Sequence, residues 1–105
     1  MGRGPLTQRQ LAEGRRLAQS LRAARVSRPA AQAALAARSG ISLDMLRKLE
    51  REQVPSPSFF TVARLARQLG LRLEKLAADA EQAGEDAEEG GANSQTGRSR
   101  RESSV

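Results

Sequence analysis

Residues 32–76, QAALAARSGISLDMLRKLEREQVPSPSFFTVARLARQLGLRLEKL, decide the fold of this chain. They predict a short helix, a Ser-Gly turn and a second short helix. Gly40 suits the left-handed residue that ends the first of these, and Ser42 is a good N-cap for the next. Leu46 and Leu49 form an i, i+3 inner stripe, which leaves polar and charged side chains on the outer face. A helix of this kind is suited to entering a DNA groove.

A longer helix is predicted before this stretch. Thr7 and Gln10 have the spacing of a capping box, so the helix should begin at Gln8 and end near Val26. Gly14 lies inside it and costs about 1 kcal/mol relative to alanine, which favours a bend or a fraying first turn there.

The helices that follow are predicted to be short. Their expected ranges are 29–39 for the second, 43–51 for the third and 73–80 for the fifth. Between the third and the fourth, prolines keep residues 53–58 extended. Ser58 should cap the fourth helix and Gly70 should end it. Its inner face is predicted to include Phe59, whereas Phe60 points elsewhere and is either partly exposed or buried at an edge.

Composition limits both the fold and the chemistry. At 105 residues there is room for one small domain, and the scarcity of β-branched and aromatic residues favours an all-α bundle. The chain has no cysteine and no histidine, which removes disulfides and the commonest general base and metal ligand. We therefore predict no enzyme activity, no metal and no cofactor. No apolar run approaches the length of a membrane span, so we expect a soluble, cytoplasmic protein that is nucleoid-associated through DNA binding.

Charge is distributed unevenly along the chain. The net charge is +6 overall, but residues 1–78 hold fifteen basic residues against five acidic ones, a net charge of +10. Residues 79–89 then carry six acidic residues. A basic domain with an acidic tail indicates a polyanion-binding module that its tail could screen, although basic charge can also serve solubility alone. The predicted organisation is a flexible basic lead over 1–6, a domain over 7–80 and a disordered tail over 81–105, acidic and then basic.

The ordered motifs resemble the phage Cro/repressor type of helix-turn-helix regulator, the xenobiotic-response-element family, over about Leu17 to Ala77. The resemblance implies a five-helix domain, here with an extended first helix, that binds double-stranded DNA as a homodimer on a palindromic site. The motifs that carry it are Gln32-x-x-Leu35-Ala36, Gly40-Ile41-Ser42, Leu46-x-x-Leu49-Glu50 and Pro57-Ser58 followed by Leu65-Ala66-x-x-Leu69-Gly70.

This chain departs from the family pattern at two positions. Glu52 stands where the family usually has a glycine, so either the third helix runs longer or a non-glycine residue adopts the left-handed cap. Ala31 stands where a serine or threonine commonly caps the second helix, and Ser27 or Arg28 with Pro29 is expected to take over that role.

The resemblance also assigns candidate site residues. Arg25 and Glu50 are expected to form an ion pair that locks the third helix against the scaffold. DNA-phosphate contacts are expected from Gln32, Arg38 and Arg51. DNA-base contacts are expected from Ser42, Leu43, Asp44, Arg47 and Lys48, with arginine or lysine reading guanine and leucine packing on a thymine methyl. Asp44 either accepts from cytosine or favours the helix N-terminus, and the alternative for the whole set is a solvated helix face.

The sequence predicts a sequence-specific DNA-binding transcriptional regulator, and two other functions remain open. The first alternative is the DNA-binding antitoxin of a toxin-antitoxin operon, whose tail would fold onto a partner. The second is a protein-interaction adaptor that contacts the transcription machinery through the tail or the N-terminal extension. The adaptor stays open because residues 53–58 lack the lysine or arginine that many relatives place there.

Overall fold

The computed structural model describes residues 5–28 and 31–92, with side chains described as far as Glu88. The described residues form five α-helices and no strand, as the sequence predicted. No helix among them is both long enough and apolar enough to cross a membrane. The helices are α1 (Gln8–Val26), α2 (Gln32–Ser39), α3 (Leu43–Glu50), α4 (Phe59–Leu69) and α5 (Leu73–Ala92).

Local capping signals set most of the helix ends. Thr7 and Gln10 form the predicted capping box, in which the Gln10 amide donates to Thr7 Oγ1 at 3.0 Å and the Thr7 amide donates to Gln10 Oε1 at 2.8 Å. Ser58 caps α4 by accepting a hydrogen bond from a backbone amide in the first turn. Gly40 and Gly70 end α2 and α4 with φ of 73° and 71°, a conformation that glycine adopts without steric cost.

The predicted start of the second helix and the predicted end of the third were wrong. Helix α2 begins at Gln32 and not near residue 29, because Ala31 is the N-cap, with extended backbone and no side-chain hydrogen bond. Helix α3 ends at Glu50 and not at Arg51, because the chain turns at Glu52, whose φ is 63°. The position where the family places a glycine therefore keeps its left-handed backbone, although a glutamate occupies it.

The core is built almost entirely from leucine and alanine. Its fully buried large side chains are Leu21, Leu35, Leu46, Leu49, Leu65 and Leu69. The prediction that Phe59 belongs to this core was wrong, because its side chain is 63% exposed. Phe59 continues the inner stripe of α4 by one turn before Val62, but among the described residues it lies at the edge of the core and stays largely exposed.

Helix α5 has 20 residues, two and a half times the length that the sequence predicted, and it packs along α1. Residues 81–92, expected to be disordered, continue the helix, and residues 93–105 of the predicted tail lie outside the described residues. The two helices lie so close together at Gly84 that a Cβ atom added there would be 2.8 Å from Glu13 Cγ and 2.9 Å from Arg9 Cγ. An ion pair of 2.9 Å between Arg9 Nη1 and Glu88 Oε1 adds to it. Helix α5 packs on α1 with few large apolar side chains, because small residues such as Gly84 let the two helix backbones approach.

Gly14 allows the loop before α4 to rest on α1. Helix α1 runs through Gly14 without interruption, and a Cβ atom at this position would lie 2.2 Å from the carbonyl oxygen of Pro55. This glycine therefore fixes the path of the chain between α3 and α4.

Candidate nucleic-acid interface

The orientation of α3 is fixed by a buried ion pair at its last residue. Arg25 Nε donates to Glu50 Oε2 at 2.6 Å, and Arg25 Nη2 donates to Glu50 Oε1 at 2.9 Å. The two side chains are 16% and 3% exposed, so the bidentate contact is screened little by solvent. Hydrogen bonding to Glu50 raises the pKa of the Arg25 guanidinium. The structure thus brings together the two residues expected to lock α3 against α1.

Gln32 joins this pair. Its side-chain amide donates to Glu50 Oε1 at 2.9 Å, so α1, α2 and α3 meet at one carboxylate. Gln32 was expected to reach a DNA phosphate, and in the structure its amide is engaged with Glu50 instead. The reason is that α2 begins at Gln32, which places this side chain beside the last turn of α3.

Helix α3 presents a charged face to solvent. Its inward side is buried through Leu46, Leu49 and Glu50. The predicted base-contacting residues Asp44, Arg47 and Lys48 are exposed. Leu43 is half-buried against the core, so only part of its side chain faces outward.

Polar contacts within α3 already engage part of this face. The Ser42 hydroxyl accepts a hydrogen bond of 3.0 Å from the Met45 amide, which makes Ser42 the N-cap of the helix. Lys48 Nζ lies 3.2 Å from Asp44 Oδ2, an exposed i, i+4 pair. Exposed pairs of this type contribute only about 0.3–0.5 kcal/mol, so a ligand can separate them. Arg47 forms no ion pair among the described residues.

Exposed arginines extend the positive surface beyond α3. Arg38 in the last turn of α2 and Arg51 at the end of α3 are the predicted phosphate contacts. Neither forms an ion pair within the described part of the chain. The same holds for Arg15, Arg16 and Arg22 on α1, to which the sequence reasoning assigned no DNA contact.

The structure adds Met45 to the surface of α3. Its side chain is 37% exposed and lies next to Asp44, where sequence reasoning assigned no role. The helical periodicity contained part of the signal, because Met45 is four residues before Leu49 but next to Leu46, which places it at the edge of the inner stripe.

A helix-turn-helix family model matches residues 21–76, which is more than half of the chain. The chain belongs to the Cro/repressor-type helix-turn-helix family. It is therefore a DNA-binding transcription regulator of the xenobiotic-response-element type, in a family that is not typically catalytic. The match confirms the predicted resemblance and leaves about the first two thirds of α1 and most of α5 outside it. No curated protein matches the chain significantly.

Proposed function

We propose that this helix-turn-helix protein recognises a specific DNA sequence by inserting α3 into the major groove. The observation that carries the proposal is the contrast between the two sides of α3. One side is buried and tied to α1 and α2 through Glu50, whereas the other exposes Asp44, Arg47 and Lys48. A rigid helix that offers charged side chains to solvent suits the direct reading of base edges.

Each residue of the exposed face takes a chemical role in this proposal. Arg47 forms two hydrogen bonds with O6 and N7 of a guanine, because no acidic side chain of the described residues is paired with it. Lys48 leaves Asp44 for a guanine or a phosphate, and Asp44 then accepts from the amino group of a cytosine. Leu43 and Met45 pack on thymine methyl groups. Ser42 caps the helix and donates its hydroxyl proton to a base or phosphate.

Phosphate contacts supply most of the affinity in the proposal. Arg51 and Arg38 lie at the ends of α3 and α2, where helices of this type approach the DNA backbone. Gln32 contributes mainly by holding Glu50, and its second amide N–H is left for a phosphate. We further propose that two copies bind a palindromic site, since a single short helix reads only a few base pairs.

The adaptor function is the second candidate, and two observations favour it. Phe59 and Phe60 are largely exposed, and residues 53–58 carry no basic side chain that could hold DNA. A protein contact through the two phenylalanines is compatible with DNA binding through α3, because the two surfaces use different residues.

Selection of binding sites from a random duplex library tests the proposal. Wild-type protein should enrich one motif, and Arg47→Ala should lose preference at one position of each half-site at a cost of about 1–3 kcal/mol. Arg16→Ala removes the same charge from α1 and serves as the matched control, with the motif unchanged. If no motif is enriched, or if Arg47→Ala selects the wild-type motif with wild-type affinity, α3 does not read bases.

A further inference from the structure

Three helices end in the same backbone motif, and at the end of α3 the motif lacks a glycine. After α2 and α4 the left-handed residue is Gly40 and Gly70, whereas after α3 it is Glu52, with φ of 63°. In each case the amide of the next residue donates to the carbonyl oxygen five positions back, at 3.1 Å after α2 and at 2.9 Å after α3 and α4. Glycine adopts this conformation without steric cost and glutamate does not, so the residue at the end of α3 lowers the stability of the turn.

The Glu52 side chain returns little of that stability. It is exposed, and its carboxylate accepts one hydrogen bond of 3.3 Å from the Gln19 side-chain amide on α1. It forms no ion pair with another residue that the structure describes. An exposed hydrogen bond of this length contributes little, because water competes for both groups. Folding therefore gives no reason for a glutamate here, and non-glycine residues held in this conformation cluster at functional sites.

The position of Glu52 relates it to the proposed DNA contact. It directly follows Arg51, the exposed residue proposed above to contact a phosphate. Residues 53–58 carry no charge, so residues 51–58 hold one arginine against one glutamate and no net charge. Adjacent Cα atoms lie about 3.8 Å apart. A phosphate that reaches Arg51 therefore comes within range of the Glu52 charge, since exposed charges interact over about 10 Å at 0.1 M salt.

We propose that Glu52 lowers the affinity of this protein for DNA, because its carboxylate repels the phosphates that approach Arg51. The proposal rests on the proposed function, since it requires the end of α3 to face the DNA backbone. Phosphates are the same in every sequence, so the repulsion weakens binding to all duplexes alike and leaves the preferred motif unchanged. Glu52 thus offsets much of the attraction that Arg51 supplies.

Fluorescence anisotropy titration of labelled duplexes with the full chain, at about 0.1 M salt, tests the repulsion. Glu52→Gln keeps the size of the side chain and removes its charge, and it should tighten binding about threefold on both the preferred duplex and an unrelated one. Glu52→Lys should tighten binding about threefold further, and both gains should shrink as salt is added. Glu85→Gln removes the same charge from an exposed position on α5 and is the matched control, with unchanged affinity. A Glu52→Gln affinity equal to that of wild type or weaker overturns the proposal.

Two further variants separate charge from backbone strain and from Arg51. Glu52→Gly removes the charge and the strain together, and it should tighten binding by the same factor as Glu52→Gln. If glycine tightens binding and glutamine does not, the backbone is the cause and the proposal is wrong. Because no contact joins Arg51 to Glu52 among the described residues, Glu52→Gln should also tighten binding in an Arg51→Ala background. Loss of the gain in that background would mean that Glu52 acts only by competing for the guanidinium, which overturns direct repulsion.

Arg47→Ala, titrated beside these variants, judges the proposed function separately. A lost sequence preference in Arg47→Ala without a gain in Glu52→Gln overturns the repulsion and keeps base reading by α3. A gain on all duplexes in Glu52→Gln with an unchanged preference in Arg47→Ala overturns base reading by Arg47 and keeps the repulsion at the DNA backbone.

Discussion

Replacing either partner of the Arg25–Glu50 ion pair should destabilise the domain strongly and unequally. The Glu50 side chain is 3% exposed and accepts three hydrogen bonds from Arg25 and Gln32, whereas the Arg25 side chain is 16% exposed. Arg25→Ala leaves a carboxylate inside the protein without its cation, and Glu50→Ala leaves a guanidinium that can turn toward water. Breaking a buried pair from one side costs about 3–5 kcal/mol. We expect Arg25→Ala near the top of this range and Glu50→Ala near the bottom.

Urea unfolding followed by far-ultraviolet circular dichroism measures these free energies, and Tm provides a second readout. In a domain this small, 1 kcal/mol shifts Tm by about 4–8 °C, so Arg25→Ala should be largely unfolded near physiological temperature. Lys48→Ala breaks an exposed pair and should cost less than about 0.5 kcal/mol. The double variant Arg25→Met with Glu50→Leu should cost less than either alanine variant. An Arg25→Ala Tm within about 2 °C of wild type would refute the reasoning.

Ionisation of Arg25 should not make the stability of the domain depend on pH in the working range. Hydrogen bonding to Glu50 raises the pKa of Arg25. A raised pKa contributes stability that is present below the unfolded-state pKa and is lost as pH rises through the folded-state pKa. Because the ordinary pKa of arginine already lies far above neutrality, this contribution is complete over the whole working range.

Four further changes test other parts of the structure. Ser39→Ala should stabilise the domain by up to about 1 kcal/mol, because the Ser39 hydroxyl is buried and finds no hydrogen-bond partner among the described residues; a lower urea midpoint would contradict this. Glu52→Gly should raise the free energy of unfolding by about 1 kcal/mol, since glycine adopts the φ of 63° without strain, and an unchanged value would mean that the backbone is unstrained. Gly14→Ala should lower Tm despite the better helix propensity of alanine, because its Cβ would lie 2.2 Å from the Pro55 carbonyl oxygen; a higher Tm would show that the loop can move aside. Arg51→Ala should weaken binding to all DNA sequences alike and flatten the salt dependence of log K by about one unit, whereas a changed sequence preference in a filter-binding titration would make it a base contact.

Sequence reasoning succeeded where a local signal decides the structure. Thr7 with Gln10, Ser58, Gly40 and Gly70 each act on backbone groups within one turn, so their spacing alone predicts where helices begin and end. The ion pair between Arg25 and Glu50 was predicted from the family resemblance. These features depend on few residues and are insensitive to how distant elements pack.

Sequence reasoning failed where a distant element decides. The length of α5 depends on α1, which provides Arg9 and Glu13 as a surface for residues that are too small to form a core by themselves. The exposure of Phe59 depends on how far the described helices extend over the start of α4, which the periodicity of one helix does not report. Gly14 was treated as a weak helix former because Pro55, forty-one positions later, was not known to lie against it.

The contact between Arg9 and Glu88 has an electrical consequence for how the molecule meets DNA. Arg9 and Arg25 are sixteen residues apart on one helix, about 24 Å at 1.5 Å per residue. The acidic end of α5 is held at one end of α1, and α3 is held at the other through Arg25. The separation exceeds the Debye length of about 8 Å at physiological salt, so the acidic helix does not shield α3. The separation of charge instead gives the protein a permanent electric moment, which under the proposed function would turn α3 toward the polyanion at low salt before contact.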